Sequence, residues 1–160
     1  KNTLKTFTGV QRRFQNVGYF KNTTIIDDYG HHPVEINAAL AAARLLTPKS
    51  KIICIFQPHR YSRIRDLFND FCSCFNDANY VFLLDVYPAG EEPLNGFEST
   101  DLKNGLLKYG HKNVSYIESK KALIRETLKI ISPHDIIICL GAGSITKIAN
   151  TLEKELYNGS

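Results

Sequence analysis

Short runs of continuous apolar residues limit this chain to a small set of architectures. The runs fall within residues 52–56, 80–84 and 135–140, and amphipathic helical patterns separate them. A strand that is apolar at every position is buried on both faces, as in the parallel sheet of an α/β domain. The sequence therefore predicts a Rossmann-like α/β domain whose mostly parallel sheet carries helices on both faces.

An edge hairpin and five helices complete the predicted order of elements. A turn at Lys21-Asn22 separates residues 12–20 from residues 23–28, which predicts an antiparallel N-terminal hairpin at the edge of the sheet. A short strand is predicted near residues 114–117, and helices are predicted over residues 33–46, 62–75, 100–109, 119–131 and 144–157. The first helix is expected to bury the face formed by Val34, Ala38, Ala41, Ala42 and Leu45.

Length, charge and cysteine pattern narrow the class of protein. A chain of 160 residues with 43% hydrophobic and 22% charged residues fits one globular domain. The net charge of +4 is mild and the basic residues are scattered, which argues against a nucleic-acid partner. No apolar run approaches the roughly 18 residues of a membrane span, so no membrane partner is expected. The four cysteines form no CxxC pair, which favours a reduced, cytoplasmic protein.

The chain is expected to be part of a longer polypeptide. It contains no methionine, and its first residues differ in character from the regular alternation that follows. We therefore predict that residues 1–10 are a linker from a preceding domain and that residues 11–160 are the domain itself.

Titratable residues are concentrated in segments that directly follow predicted strands. These segments are residues 27–32, 57–63, 85–91 and 141–144. Parallel strands bring their carboxyl ends to one edge of the sheet, and ligands of open α/β sheets bind outside that edge. We expect the four segments to meet there, and we call this surface the ligand edge.

The segment from Asp27 to His32 contains two carboxylates, a phenol and two imidazoles. Adjacent histidines seldom chelate one ion, and no further histidine or cysteine is suitably spaced, so no metal site is predicted. A role at the helix start or in hydrogen bonding to a substrate suits His31 and His32 better, and the sequence does not decide which of them faces the ligand edge. Asp27 fits either a structural turn or a magnesium ligand that shares phosphate oxygens with a nucleotide.

Three arginines, Arg60, Arg63 and Arg65, cluster at the start of a predicted helix. Cations are mildly unfavourable there because the positive end of the helix dipole is near, and an anionic ligand would offset this cost. A pair of planar guanidinium groups suits a carboxylate or a phosphate. We therefore predict that Arg60 and Arg63 bind an anion and that Arg65 lies on a solvated face.

A Gly-x-Gly turn, from Gly141 to Gly143, precedes the last predicted helix. Backbone N–H groups at such a helix start can bind an anion, and glycine can equally serve to let the helix pack closely on its strand. The spacing departs from the GxGxxG dinucleotide pattern and from the GxxxxGK[ST] P-loop, so neither site is predicted. An anion site and a packing turn both stay open at this point.

Five segments together resemble the C-terminal domain of the Mur ligases. They are GVQRRF at residues 9–14, DDYGHHP at 27–33, QPHRYSR at 57–63, DVYPAGE at 85–91 and GAG at 141–143. They follow the order of the family and cover nearly the whole chain. The second and third segments are quite specific for the member that adds L-alanine. The member that recycles murein tripeptide resembles the second segment as well, with a DDxxHHP pattern, but it is not expected to carry QPHRYSR. Ser144 departs from the family, which often has an acidic or amide residue there.

The resemblance implies a ligase reaction that needs two further domains. In the family, the carboxylate of UDP-N-acetylmuramate attacks the γ-phosphate of ATP, and the amine of L-alanine then attacks the acyl phosphate. An N-terminal domain binds the UDP sugar, and a central domain of the same polypeptide carries the P-loop and most contacts to Mg²⁺. The resemblance therefore implies that this chain is inactive alone.

The resemblance also implies roles for particular residues. Asp28 is expected to contact the ATP ribose, and Arg13 is expected near the nucleotide phosphates. His32, Arg60 and Arg63 are expected to be catalytic and substrate-binding residues, with Tyr29 beside them in the substrate site.

Two other classes of function compete with a ligase domain. One is a stand-alone Rossmann-type module that binds a nucleotide or metabolite, and the other is a small hydrolase that uses the Asp and His cluster. A GxxxxGK[ST] loop encoded upstream of residue 1 would select the ligase. The hydrolase ranks last because the chain has no GxSxG nucleophile elbow.

Overall fold

The computed structural model describes residues 12–160, so the predicted linker at residues 1–10 lies outside the described residues. The strands are β1 Gln15–Phe20, β2 Thr23–Asp28, β3 Ile52–Phe56, β4 Tyr80–Leu83, β5 Val114–Tyr116 and β6 Ile136–Leu140. The helices are α1 Pro33–Leu46, α2 Tyr61–Asp66, α3 Phe68–Ser73, α4 Ser99–Lys108, α5 Lys120–Ile130 and α6 Ile145–Gly159. None of these helices has the length and apolar character that crossing a bilayer requires.

The strands form one sheet in the order β1-β2-β6-β3-β4-β5. β1 and β2 pair antiparallel, and all other neighbouring strands are parallel. Lys21 and Asn22 have φ angles of 44° and 66°, the left-handed backbone of a two-residue hairpin turn whose twist suits the flanking strands. The predicted fold class is therefore confirmed, including the antiparallel hairpin at the N-terminal edge.

Two hydrophobic cores cover the two faces of the sheet. α1, α3 and α4 pack on one face, and α5 and α6 pack on the other. Successive side chains of a strand point to opposite faces, so β6 contributes to both cores. Its alternate residues Ile136, Ile138 and Leu140 belong to the first core, and Ile137 and Cys139 belong to the second. Burial on both faces explains why the strand sequences are continuously apolar.

The helix predicted over residues 62–75 is interrupted, so the prediction of one continuous helix is wrong. Leu67 joins α2 and α3 with φ −121° and ψ 24°, a backbone that breaks the helical repeat. The apolar side of the segment is nevertheless buried, since Ile64, Phe71 and Phe75 are fully inaccessible. Helical periodicity thus locates the buried side of the segment, but it does not detect a break in the helical backbone at one residue.

The face of α1 that was predicted to be buried points away from the core. Val34 and Leu45 are 72% and 82% exposed, whereas Ile36, Leu40 and Ala43 are buried. The prediction fails because α1 is apolar on nearly all sides, so periodicity does not select one face. Contacts at the end of the helix fix its rotation instead: the Arg44 guanidinium donates hydrogen bonds to the carbonyls of Thr47, Ser50 and Asp77 and to the side chain of Asn79.

Replacing Leu45 with lysine is expected to change the free energy of unfolding by less than about 0.5 kcal/mol, because the side chain is exposed. Leu40→Ala in the same helix is the matched control and is expected to cost about 2–5 kcal/mol, because it removes a fully buried side chain. Urea unfolding followed by circular dichroism measures both. A loss from Leu45→Lys as large as that from Leu40→Ala would contradict the observed rotation of α1.

Candidate functional site

The four polar segments that follow the strands meet at the carboxyl edge of the sheet, as the sequence predicts. β2, β6, β3 and β4 are parallel neighbours, so their carboxyl ends lie side by side. Backbone contacts continue beyond the strands: Gln57 N–H donates to the Leu140 carbonyl, and a parallel bridge joins His59 to Tyr87. The ligand edge is therefore one continuous surface.

Asp27 lies in a buried ion pair at this edge. Its side chain is 2% exposed, and Oδ2 lies 3.1 Å from Nε of Arg12. The Thr146 hydroxyl donates to the same carboxylate at 2.7 Å, and Arg12 also donates to the Gly141 carbonyl at 2.6 Å. Of the two roles that the sequence leaves open, this geometry supports the structural one, because Asp27 links the start of the described chain to the first turn of α6.

Asp28 binds backbone donors with both carboxylate oxygens. Oδ1 accepts from the N–H of Gly30 and Oδ2 accepts from the N–H of Phe14, each at 2.7 Å. A carboxylate oxygen has two acceptor sites, so each oxygen keeps one for a hydroxyl group. The predicted contact between Asp28 and the ATP ribose is compatible with this geometry and stays a prediction.

His32 is the N-cap of α1. Its Nδ1 accepts from the N–H of Val34 at 3.4 Å, and the Glu35 carboxylate accepts from the N–H groups of His31 and His32. Burial raises the pKa of Glu35, but these two backbone donors and the nearby positive charges outweigh it, so the pKa lies below its usual value. An ionised Glu35 therefore holds the backbone of both histidines in place.

The ring of His31, and not that of His32, lies against the neighbouring segment of the ligand edge. The His31 ring centroid is 5.1 Å from that of Tyr29 and 5.7 Å from that of His59. Its Nδ1 also lies 3.0 Å from the Tyr29 carbonyl. The geometry thus brings Tyr29 and His31 together, while the substrate role predicted for His32 stays a prediction.

An imidazole, a phenol ring and a guanidinium group form the centre of the ligand edge. The ring of His59 stacks on that of Tyr87, with centroids 5.4 Å apart and planes at 14°. Nη1 of Arg63 lies 3.0 Å from the His59 carbonyl and 3.0 Å from His59 Nδ1. Burial lowers the pKa of His59, and electrostatic effects of Arg63, His31 and Arg60 lower it further. The centre therefore combines an imidazole whose neutral form is favoured with the permanent cation of Arg63.

Arg60 lies between β3 and α2, and its backbone has a conformation that non-glycine residues seldom adopt, with φ 69° and ψ 131°. Two hydrogen bonds hold it there: Arg60 N–H donates to the Tyr87 carbonyl at 2.9 Å, and Tyr87 N–H donates to the Pro58 carbonyl at 2.8 Å. Its side chain is exposed at the edge. Arg65 is exposed as well and pairs with Asp66, which confirms the predicted solvated face.

The glycine turn before α6 is packed against Gln57. Gln57 Oε1 accepts from the N–H of Ile145 at 3.0 Å, and its Nε2 donates to the Ser144 hydroxyl at 3.1 Å. A β-carbon at Gly143 would lie 2.6 Å from Cγ of Tyr87 and 2.7 Å from Oε1 of Gln57. Because an N–H at the start of α6 is already bonded within the chain, the structure supports the packing role of this turn.

Arg13 lies beside the ligand edge with its side chain 55% exposed, and its Nη1 is 3.9 Å from Oε1 of Glu35. It is therefore available to an anion, unlike Arg12, whose guanidinium is bonded to Asp27 and Gly141. The predicted contact of Arg13 with nucleotide phosphates stays a prediction.

Sequence reasoning assigns no role to His59, Tyr87 or Gln57, although all three lie in the segments that it singles out. Their position directly after a strand is the same signal that points to Arg60. Glu91 is also missed: its carboxylate accepts hydrogen bonds from the N–H and hydroxyl of Ser62, and these bonds lower its pKa.

The side chains at the ligand edge are chemically suited to a small anion. Guanidinium groups and imidazole N–H donors bind carboxylates and phosphates, and no group of three or more metal-binding side chains is placed to hold an ion within residues 12–160. The sequence also contains no GxxxxGK[ST] loop. Fold and site together are those of a doubly wound α/β domain with cationic and imidazole side chains at its ligand edge and no P-loop pattern in its sequence.

Comparison with known proteins identifies the family of this domain. A family model described as "Mur ligase, glutamate ligase domain" matches residues 12–143, and the chain belongs to the Mur ligase family. The UDP-N-acetylmuramate–L-alanine ligase of Rhodospirillum rubrum is 51% identical over 150 residues, which are 94% of this chain and 31% of that protein. The chain thus spans about a third of the length of the curated relatives it matches.

Two solved structures share the fold. The UDP-N-acetylmuramate–alanine ligase of Thermotoga maritima aligns with a TM-score of 0.68 at 28% identity, over 98% of this chain and 32% of that one. A murein peptide ligase of Psychrobacter arcticus aligns with a TM-score of 0.72 at 19% identity, over 97% of this chain and 32% of that one. At this lower identity the second likeness supports the fold alone.

Proposed function

We propose that this chain is the C-terminal domain of a UDP-N-acetylmuramate–L-alanine ligase, an ADP-forming enzyme of peptidoglycan precursor synthesis. The observation that carries the proposal is the QPHRYSR segment, which folds so that His59, Arg60 and Arg63 lie together beside His31. Its support is the 51% identity to a relative of that name. The proposal includes N-terminal and central domains of the same polypeptide, and it places the enzyme in the cytoplasm, where ATP is available.

The task of this domain is to hold L-alanine against the acyl phosphate. Arg60 and Arg63 bind the carboxylate of the amino acid, since two guanidinium groups match its charge and geometry. Tyr29 and His31 line the adjacent part of the ligand edge. Bringing the amine to about 3–3.5 Å from the acyl carbon lowers the barrier by several kcal/mol, and closure of the other domains on this edge excludes water.

The nucleotide and its metal are divided between domains in this proposal. Asp28 has free acceptor capacity for a ribose hydroxyl, and the exposed Arg13 is available to the phosphates. Mg²⁺ usually takes one or two protein carboxylates together with substrate phosphates, and residues 12–160 contain no group of three or more metal-binding side chains that would form a site of their own. Its ligands are therefore sought in the other domains and in ATP itself.

Arg63→Ala in the full-length ligase tests the proposal. Loss of a charge-assisted hydrogen bond costs about 1.5–3 kcal/mol, which corresponds to a rise of roughly 10- to 150-fold in the apparent KM for L-alanine. Steady-state phosphate release at varied L-alanine measures it. Arg65→Ala is the matched control, because Arg65 lies on the solvated face of the same helix and should leave KM unchanged.

An unchanged KM for L-alanine in folded Arg63→Ala would contradict the assignment of Arg63. A full-length enzyme that couples a murein tripeptide in place of L-alanine would contradict the proposed substrate and select the recycling ligase instead.

A further inference from the structure

The position of the ring proton on His59 follows from its contact with Arg63. Nη1 of Arg63 lies 3.0 Å from Nδ1 of His59. A guanidinium group donates hydrogen bonds and accepts none, so Nδ1 must be the acceptor. A neutral imidazole that accepts at Nδ1 carries its proton at Nε2. Within residues 12–160, no hydrogen-bond partner occupies Nε2 of His59, and His59 is only partly buried, which leaves this N–H available to a ligand.

The groups around His59 favour its neutral form. Burial lowers its pKa, and Arg63, His31 and Arg60 lower it further, in that order, against a smaller opposing effect of Glu91. Tyr87 is the aromatic group that covers one face of the ring. A neutral His59 acts as a hydrogen-bond donor through Nε2 and holds no second ring proton to transfer.

Tyr87 is itself held rigidly. Its N–H donates to the Pro58 carbonyl and its carbonyl accepts from the N–H of Arg60. The backbone of Tyr87 is therefore bonded to the residues on either side of His59. Gly143 lies close behind it: a β-carbon added at this glycine would be only 2.6 Å from Cγ of Tyr87. The stacked ring is therefore a fixed support for the imidazole.

We propose that Tyr87 is a positioning residue that, together with Arg63, holds His59 as a neutral Nε2–H donor directed to the anionic group of the incoming amino acid. The proposal rests on the proposed function for the identity of that ligand. The contribution of Tyr87 comes from the face of its ring, because the stack and the backbone bonds do not involve its hydroxyl. The aromatic ring both orients the imidazole and keeps water from one side of it.

Two substitutions separate the ring from the hydroxyl in the full-length ligase. Tyr87→Phe keeps the stack and is expected to leave kcat and both KM values within about twofold. Tyr87→Ala removes it and is expected to raise the KM for L-alanine about tenfold while the KM for ATP is unchanged. Tyr109→Ala is the matched control, because Tyr109 is an exposed tyrosine that bonds Asn69, away from the ligand edge.

The pH dependence of kcat/KM provides a second test, because it would not change if Tyr87 only stabilised the fold. Burial depresses the pKa of His59, so exposing the ring in Tyr87→Ala raises that pKa toward its ordinary value. Protonation of Nδ1 would break its contact with Arg63, so the acid limb of kcat/KM for L-alanine should move to higher pH in Tyr87→Ala and stay in place in Tyr87→Phe. The proposal would be overturned if Tyr87→Phe raised the KM for L-alanine as much as Tyr87→Ala does. It would also be overturned if Tyr87→Ala left the pH dependence of kcat/KM unchanged.

The state of the imidazole can be measured without any turnover. In full-length protein labelled with ¹⁵N-histidine, the ring nitrogens of His59 should report an acceptor Nδ1 and a protonated Nε2 at pH 7, assigned by loss of the signals in His59→Gln. A proton on Nδ1 would overturn the proposal. If the protein does not ligate L-alanine but His59 shows the expected tautomer and its shift in Tyr87→Ala, the proposed function fails while the positioning role of Tyr87 stands.

Discussion

Replacing Asp27 with alanine is expected to lower the free energy of unfolding by about 3–5 kcal/mol, the usual cost of removing one partner of a buried ion pair. The Asp27 side chain is 2% exposed, and it accepts hydrogen bonds from both Arg12 and the Thr146 hydroxyl. Its loss leaves the Arg12 guanidinium without its counter-charge in a site where water has little access. Because Arg12 is itself 18% exposed, the lower part of this range is the expected value.

Thermal unfolding of the variant measures this effect, and a fall in Tm of about 10 °C is expected for a chain of this size. Asp66→Ala is the matched control: the pair between Asp66 and Arg65 is exposed and screened by solvent, so its loss is expected to leave Tm almost unchanged. A second variant, Arg12→Met combined with Asp27→Leu, should recover most of the loss, because it removes both charges at once. Equal stability of Asp27→Ala and the unsubstituted chain would contradict the structural role of Asp27.

In the full-length ligase that we propose, Gly143→Ala is expected to reduce kcat/KM for L-alanine more than tenfold and to destabilise the domain by about 1–3 kcal/mol. The added β-carbon would lie 2.6 Å from Cγ of Tyr87 and 2.7 Å from Oε1 of Gln57, closer than van der Waals contact allows. Neither neighbour can retreat freely, since Gln57 bonds the start of α6 and Tyr87 stacks on His59. One methyl group therefore displaces two supports of the ligand edge.

Kinetics and thermal unfolding of the full-length enzyme measure the two effects of Gly143→Ala separately. Gly110→Ala is the matched control: no atom lies within 4 Å of the added carbon, and only its φ of +100° makes alanine unfavourable. The control should lose about 1 kcal/mol of stability and keep its activity. Wild-type kcat/KM in folded Gly143→Ala would show that the ligand edge tolerates movement of Tyr87 and Gln57.

Patterns within single segments were sufficient to predict the sheet and its ligand edge. Continuous apolar runs specify strands that are buried on both faces, and the parallel arrangement then places residues 27–32, 57–63, 85–91 and 141–144 together whatever the details of the loops. The same reasoning led to Arg60 and Arg63, which the structure places at the edge beside His31 and His59.

Features that depend on distant partners were not predictable from local pattern. The buried face of α1 is set in part by hydrogen bonds from Arg44 to the chain near Asp77 and Asn79, about 33 residues away. The packing role of the glycine turn depends on Gln57, 88 residues before Ile145. The separate positions of His31 and His32 follow from the helix start, where one ring caps α1 and the other turns toward His59.

The order of the strands has a consequence for synthesis of the protein. Among the strands of residues 12–160, β6 is the last to leave the ribosome, yet it occupies the middle of the sheet between β2 and β3. Until it is made, the earlier strands have no partner along this seam, and the nascent chain carries two incomplete half-sheets with apolar flanks. Assembly of the sheet must therefore wait until β6 has been translated. Before that point, chaperone binding or aggregation of the unpaired half-sheets would compete with folding.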